Sequence, residues 1–331
     1  MKAGYFQKYF YFALPAVLLS TQIFLSCNAP HNNPFDAENP NSQLASIEGT
    51  VLRIGFPNEP LAGIRITWLN DNRVVTSGSS GEFAIKNIKI KDGWLVFENN
   101  NFSRDSVFIN WNGEKKVTVR RFLNSIPVLD SLQLYTIVQN RFQINQTYEF
   151  FVAAMVKDAD GDSDVDSVFI QNIEAGINST LVYNLASGFY EKKFSLADLK
   201  LQSIDDLIGK IFQIVVKDLE SRKFVIGNAS VTRVIKEEIL ILSPANNEIT
   251  GQPINFRWKR FTPGFDFQFM IEIYTNQTPA ELIWRKPGID PSEISFTADS
   301  TLQTGEYFWV IWCIDNFLNR SRSKPATFRI N

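Results

Sequence analysis

The sequence predicts an all-β protein, with three tandem β-sandwich domains behind an export signal and a Pro/Asn-rich tether. Three observations support this. From Ile47 onward, apolar and polar residues alternate in short runs bounded by Gly, Asn and Pro, which is the pattern of strands joined by tight turns. No helix–strand alternation, phosphate loop or cofactor fingerprint interrupts those runs. Turn-rich breaks divide the chain into 46–123, 124–236 and 237–331, each near the size of one small sandwich.

Composition narrows the functional classes. The chain has 331 residues, 44% of them hydrophobic, which suits packed domains rather than disorder. Its formal net charge is −2, and no strongly basic patch stands out, which argues against a nucleic-acid partner. There are two cysteines, Cys27 and Cys313, so a disulfide framework is not expected. The single histidine, His31, lies ahead of the first strand. Ser-His-Asp and Cys-His catalysis are therefore excluded from the folded domains, as are ordinary histidine-containing zinc sites. Carboxylate-based glycoside hydrolysis is not excluded by this count.

The N-terminus sets the expected compartment. Lys2 and Lys8 lead into an apolar run, Tyr9 to Leu19, continued through Ile23 to Leu25 and closed by Ser26 and Cys27. A charged start, an apolar middle and a small residue at the cut define an export signal over 1–26. Leu25-Ser26-Cys27 resembles the lipobox of bacterial lipoproteins, with Phe24 where that family usually has leucine. The resemblance implies cleavage before Cys27 and acylation of that residue. Asn28, rather than aspartate, implies by the same resemblance an outer-membrane destination, facing the periplasm or the cell surface. Two other readings stay open: an uncleaved anchor, because the run approaches the roughly 18 residues of a spanning helix, and a secretory signal without lipid. Residues 27–45, rich in Pro and Asn, read as an extended tether.

Over 46–123 the strand signals are Ile47 to Val51, Ile64 to Ile66, Phe83 to Ile85, Trp94 to Phe97, Ser106 to Ile109 and Lys116 to Val119. Gly49 with Val51, Pro60 to Gly63 with Ile66, and Gly81 with Phe83 resemble the carboxypeptidase regulatory-like (transthyretin-like) domain. Ser77-Gly78 departs from the Thr-Asp usual in one turn of that family. The resemblance implies a seven-strand sandwich without an active site of its own.

Residues 124–236 hold the densest acidic feature, Asp158, Asp160, Asp162, Asp164 and Asp166, with Gly161 at its fourth position. Five alternating carboxylates suggest calcium, a hard cation that takes six to eight oxygens. The register is not that of an EF-hand, because position twelve is Phe169. The other reading is a β-turn in which Asp-Gly reverses the chain between Val152–Val156 and Val168–Ile170. It resembles acidic turns of bacterial immunoglobulin-like modules. Ser195 and Ser203 head one or two short helical turns with acidic first turns, Lys210 to Asp218 is a buried strand, and 218–222 is a hairpin turn. An immunoglobulin-like sandwich is the expected fold.

The segment 237–331 contains Ser243-Pro244-Ala245-Asn246, Phe256-Arg257-Trp258, and Gly305-Glu306-Tyr307-Phe308-Trp309 followed by Asp315 and Asn319-Arg320-Ser321. These resemble a fibronectin type III-like module of bacterial surface proteins. In the Tyr307 strand, alternation assigns Tyr307, Trp309, Ile311 and Cys313 to the core with Trp258. The opposite face, Phe308, Val310, Trp312 and Ile314, is apolar where a solvated face is polar. Phe308 and Trp312 are accordingly candidate partner-binding residues; the competing reading is cover by a loop or by the second domain.

The expectation is a non-enzymatic, lipid-anchored envelope protein binding a protein or polysaccharide through its C-terminal module. No cofactor is expected other than calcium at the acidic turn. The alternatives are a carbohydrate-processing accessory protein or carboxylate-based glycosidase, and a purely structural spacer.

Overall fold

The computed structural model describes residue 39 and residues 44–144 and 146–331. The expected signal segment, Cys27 and most of the tether lie outside these residues. The chain divides into two compact units, at Ser125 and Ile126. Both are built almost wholly of strands, and the fold is all-β with several sandwich layers.

Among the described residues the first unit has seven strands: β1 (Leu44–Arg53), β2 (Arg65–Trp68), β3 (Arg73–Thr76), β4 (Glu82–Lys89), β5 (Gly93–Asn99), β6 (Phe102–Ile109) and β7 (Lys116–Leu123). They form two sheets, β4-β1-β7 and β3-β2-β5-β6. β1 starts inside the stretch read as tether, because Leu44 and Ala45 already pair with Lys89 and Ile88. Inward residues of both sheets, among them Ile47, Ile66, Trp68, Phe83, Leu95 and Phe97, make one buried core. Trp68 and Trp111 meet edge-on at 6.3 Å within it. Gly49 lies where β1 is sandwiched between antiparallel β4 and parallel β7. A Cβ there would stand 1.9 Å from the Val119 carbonyl oxygen, so only glycine permits this approach.

The second unit begins with β8 (Val128–Asn140), β9 (Gln146–Lys157), β10 (Val165–Asn172), β11 (Ile177–Asn184) and β12 (Phe189–Ser195). A single helical turn, α1 (Leu196–Leu199), precedes β13 (Ile211–Asp218) and β14 (Lys223–Ser230). The strand order is β14-β13-β10-β11-β12-β9-β8. β11 pairs with β10 over Ile177–Leu181 and with β12 over Val182–Asn184, so it passes from one layer to the other. Phe150, Val152, Ile170, Phe194, Phe212 and Ile214 fill the space between them. Ser195 caps α1 in a reciprocal capping box with Asp198, and Ser203 heads the following 3-10 turn, Ile204–Leu207, in the same way with Asp206. The acidic turn differs from the hairpin reading. β9 and β10 do not pair, two strands stand between them, and the turn instead carries the chain across a corner of the sandwich.

The rest of this unit comprises β15 (Ile241–Ser243), β16 (Glu248–Ile249), β17 (Asn255–Trp258), β18 (Phe267–Thr275), β19 (Leu282–Ile289), β20 (Ser295–Thr297), β21 (Gly305–Asp315), β22 (Arg320–Arg322) and β23 (Ala326–Ile330). The sheet β15-β17-β20 faces the sheet carrying β19, β18, β21 and β23 across a core that includes Trp258, Phe256, Tyr307, Trp309, Ile311, Cys313 and Phe328. This core is the one that strand alternation assigns.

The second and third sandwiches are not separate beads. β22 pairs with β21 on one side and, in parallel, with β8 on the other, through Arg320 opposite Ile137 and Arg322 opposite Gln139. One sheet of 13 strands therefore runs through both. The break expected at 236/237 falls inside a single compact unit, because β8 offers a free edge that only the third sandwich fills.

Candidate functional site

Three places collect the side chains that sequence reasoning marks out or that the fold exposes: the β8–β22 seam, the outer face of the first unit, and the acidic turn.

At the seam the expected partner residues are already occupied. Tyr135 and Ile137 of β8 cluster with Met270, Val310 and Trp312, with Phe151, Tyr274, Phe308 and Ile314 packed against them. Trp312 is 8% exposed and Val310 fully buried. The Trp312 indole N–H donates to Glu272 Oε2 at 2.7 Å, and the Arg322 guanidinium lies over the indole ring, 5.7 Å from its centroid. The Tyr274 hydroxyl donates to the same carboxylate at 2.7 Å, and Arg285 Nη2 pairs with its other oxygen at 2.7 Å. Burial and that carboxylate push the Tyr274 phenol up to about 12. Phe308 stacks on Tyr274 with ring centroids 5.1 Å apart. The reading of Phe308 and Trp312 as a free partner surface is thus corrected. The second domain's strands and neighbouring long side chains cover this face, since pairing of β8 to β22 brings Tyr135 and Ile137 onto it.

The first unit carries a face that the sequence reading passed over. On the outer side of β3-β2-β5-β6, Trp94 and Phe108 are 48% and 49% exposed and meet edge-on at 5.3 Å. They are directly opposite across β5 and β6, and Leu69, also exposed, donates its backbone N–H to the Trp94 carbonyl at 3.1 Å. Below them lies a charged row. Arg65 stands opposite Glu98, and Arg104 Nε pairs with Glu98 Oε1 at 3.0 Å. Two hollows follow the face: one of about 400 Å³ lined by Leu69, Trp94, Val96, Arg104 and Ser106, and one of about 510 Å³ lined by Gly63, Arg65, Glu98, Asn99 and Asn100. The signal was present in the alternation, because Leu95, Phe97 and Ile109 are core residues and their neighbours Trp94 and Phe108 must face outward.

The acidic turn gathers part of its expected set. Carboxylate oxygens of Asp158, Asp160 and Asp164 lie within 4.8 Å of one another. Gly161, at φ 114°, takes a conformation that a side chain disfavours and starts the 3-10 turn Asp162–Asp164. Asp162 and Asp166 are not in the cluster. Asp162 turns to a hollow it shares with Tyr183 and Tyr190, and Asp166 pairs with Lys217 Nζ at 2.9 Å across β10 and β13. That lysine, with the Ser167 hydroxyl, holds the Asp166 carboxyl below its ordinary range. Burial, then repulsion from Asp160, Asp164 and Asp218, pushes Asp158 up to about 6 despite the hydrogen bond it accepts from the Asp160 amide.

No protein-family model matches the sequence, and no curated protein matches it. Among solved structures the chain is similar to fibronectin(III)-like modules of Clostridium thermocellum CbhA, with 11% identity and a TM-score of 0.28 over 62% of this chain and 93% of that one. It is also similar to the FN1-FN3 domains of chicken CNTN1, at 8% identity and a TM-score of 0.31 over 81% and 90% of the two chains. For the Bacillus anthracis TIE protein the values are 10% and 0.26, over 88% and 48%. At this level the similarity carries no argument about fold or function.

Proposed function

We propose that the chain is a non-enzymatic, lipid-anchored envelope protein that presents β-sandwich modules and binds a polysaccharide through the outer face of its first sandwich. The observation behind the binding site is the exposed Trp94–Phe108 pair beside the Arg65/Glu98/Arg104 row. A sugar ring has apolar C–H faces and a polar hydroxyl rim. Half-exposed aromatic rings suit the first, and a few fixed guanidinium, carboxylate and amide groups suit the second. Exposed large aromatics clustered on a sheet face mark a binding surface more often than scattered apolar residues do.

The anchor is carried by Leu25-Ser26-Cys27, by its resemblance to a lipobox. Each buried methylene contributes about 0.8 kcal/mol, and two acyl chains hold a protein stably at a bilayer. Seven strands in two sheets support the reading of the first sandwich as similar to the carboxypeptidase regulatory-like domain. Carboxylate-based hydrolysis is the weaker reading for this face, because glycosidases set two carboxyl groups about 5–9.5 Å apart across a cleft, free to exchange protons. Here Glu98 is tied to Arg104, and Asp105 to Arg121 Nε at 2.8 Å.

Retention on immobilised polysaccharides tests the face, wild type beside Trp94→Ala. At least a tenfold loss of retention is expected, and equal retention of both proteins on every glycan would remove this site. The anchor is tested by intact mass and detergent partitioning after expression in a diderm bacterium, beside Cys27→Ala. The expected wild-type product begins at Cys27, carries added acyl mass and enters the detergent phase.

A further inference from the structure

We propose that Asp158, Asp160 and Asp164 form a calcium site that fixes the β9–β10 turn at one end of the second sandwich. The inference does not depend on the glycan-binding reading. Beside the cluster itself, Asp158 is only 8% exposed, and its Oδ2 has no hydrogen-bond partner. The Asp164 Oδ2 is likewise buried without one. A buried carboxylate oxygen left unpaired is costly, and such atoms in a native fold call for an ion or a donor. The other Asp158 oxygen is already satisfied, accepting from the Asp160 amide at 2.9 Å. The two residues that carry these orphan oxygens both belong to the acidic cluster, in which one carboxylate oxygen of each residue lies within 4.8 Å of the others.

The donor chemistry selects the ion. Only oxygens are present in the cluster, which favours a hard cation over zinc or copper. Ca–O distances of about 2.3–2.6 Å put opposite ligand oxygens roughly 4.6–5.2 Å apart, so a group confined within 4.8 Å fits around one ion. Three carboxylates on a short turn leave the remaining positions to water or carbonyl oxygens, as in flexible calcium sites.

The consequence is mechanical. The Asp164 carbonyl accepts the Leu219 amide of the β13–β14 turn at 3.0 Å, and burial, then the charge of fully buried Asp218 on that turn, raises the Asp164 carboxyl. Asp218 is itself held by Arg222 Nε at 3.0 Å. An ion on Asp158, Asp160 and Asp164 neutralises this crowded charge and steadies the turn whose Asp164 carbonyl receives the Leu219 amide.

The test is calorimetric titration of the full chain with calcium chloride, alongside thermal melts in calcium and in chelator. We expect one ion per chain, with Kd on the order of 10⁻⁵–10⁻³ M, and a higher melting temperature in calcium. Asp158→Asn and the more exposed Asp160→Asn should each weaken binding at least tenfold, while Asp166→Asn should bind as wild type. Asp160→Asn guards against loss of folding, and circular dichroism of each variant verifies its fold. Absence of binding at 10-fold above about 10⁻³ M calcium, an equal response to magnesium, or loss of binding in Asp166→Asn equal to that in Asp158→Asn would overturn the assignment.

Discussion

Asn319 Oδ1 accepts hydrogen bonds from Thr136 N at 3.0 Å and Thr136 Oγ1 at 3.1 Å, joining residues 183 positions apart. Both residues are buried. Asn319 Nδ2 donates to Asp315 Oδ2 at 3.2 Å, and Arg233 Nε approaches the same oxygen at 3.4 Å. Two sandwiches that share a sheet also share this polar network, and such networks are worth most when every member is satisfied.

Asn319→Ala should therefore destabilise the second unit by about 1–3 kcal/mol, since it leaves the buried Thr136 amide without its acceptor. Hydrogen exchange by mass spectrometry checks the coupling. Protection in β8 and β21 should fall together in this variant. A loss confined to β21, with β8 unchanged, would show the two sandwiches to be independent.

Trp312→Ala should cost about 3–5 kcal/mol, the usual cost of truncating a large buried side chain. It also removes one of the two neutral donors to Glu272. Urea unfolding measures the loss. Polysaccharide retention under native conditions should be unchanged, because this residue lies in the seam and the proposed glycan face lies in the first unit.

Gly49→Ala tests the other unit. The added methyl meets the Val119 carbonyl and, at 2.9 Å, the Phe83 ring. Backbone must shift to admit it, at a cost of about 1–3 kcal/mol or more. The expected readout is an earlier unfolding transition for the first unit, with the transition of residues 126–331 unmoved.

Cys313 is fully buried and its thiol is pushed up to about 12, chiefly by burial and then by Asp315 and Glu237. Cys313 should resist alkylation at pH 9 in the native protein and react readily once the chain is unfolded. The same shift has a stability consequence. The folded state keeps the thiol protonated while the unfolded chain ionises it from its ordinary value of 9.0 upward. The contribution is full below that pH and is lost as pH rises towards 12, so stability measured by urea should decline above pH 9.

Sequence alone determined what short-range chemistry determines. Alternation located most of the strands and assigned Tyr307, Trp309, Ile311 and Cys313 to a core with Trp258. Serine caps with acidic first turns marked both capped turns, and the acidic run marked the loop where three carboxylates converge. Tertiary structure decided the rest. An apolar strand face such as that of Phe308 and Trp312 records that something covers it, not what does, because β8 lies far away in the chain. Asp166 leaves the acidic cluster because β10 pairs with β13 and sets Lys217 beside it. Trp94 and Phe108 become one surface only when β5 and β6 align. Strand pairing across long loops depends on which edges remain free after local folding, and that choice is made by the packed whole.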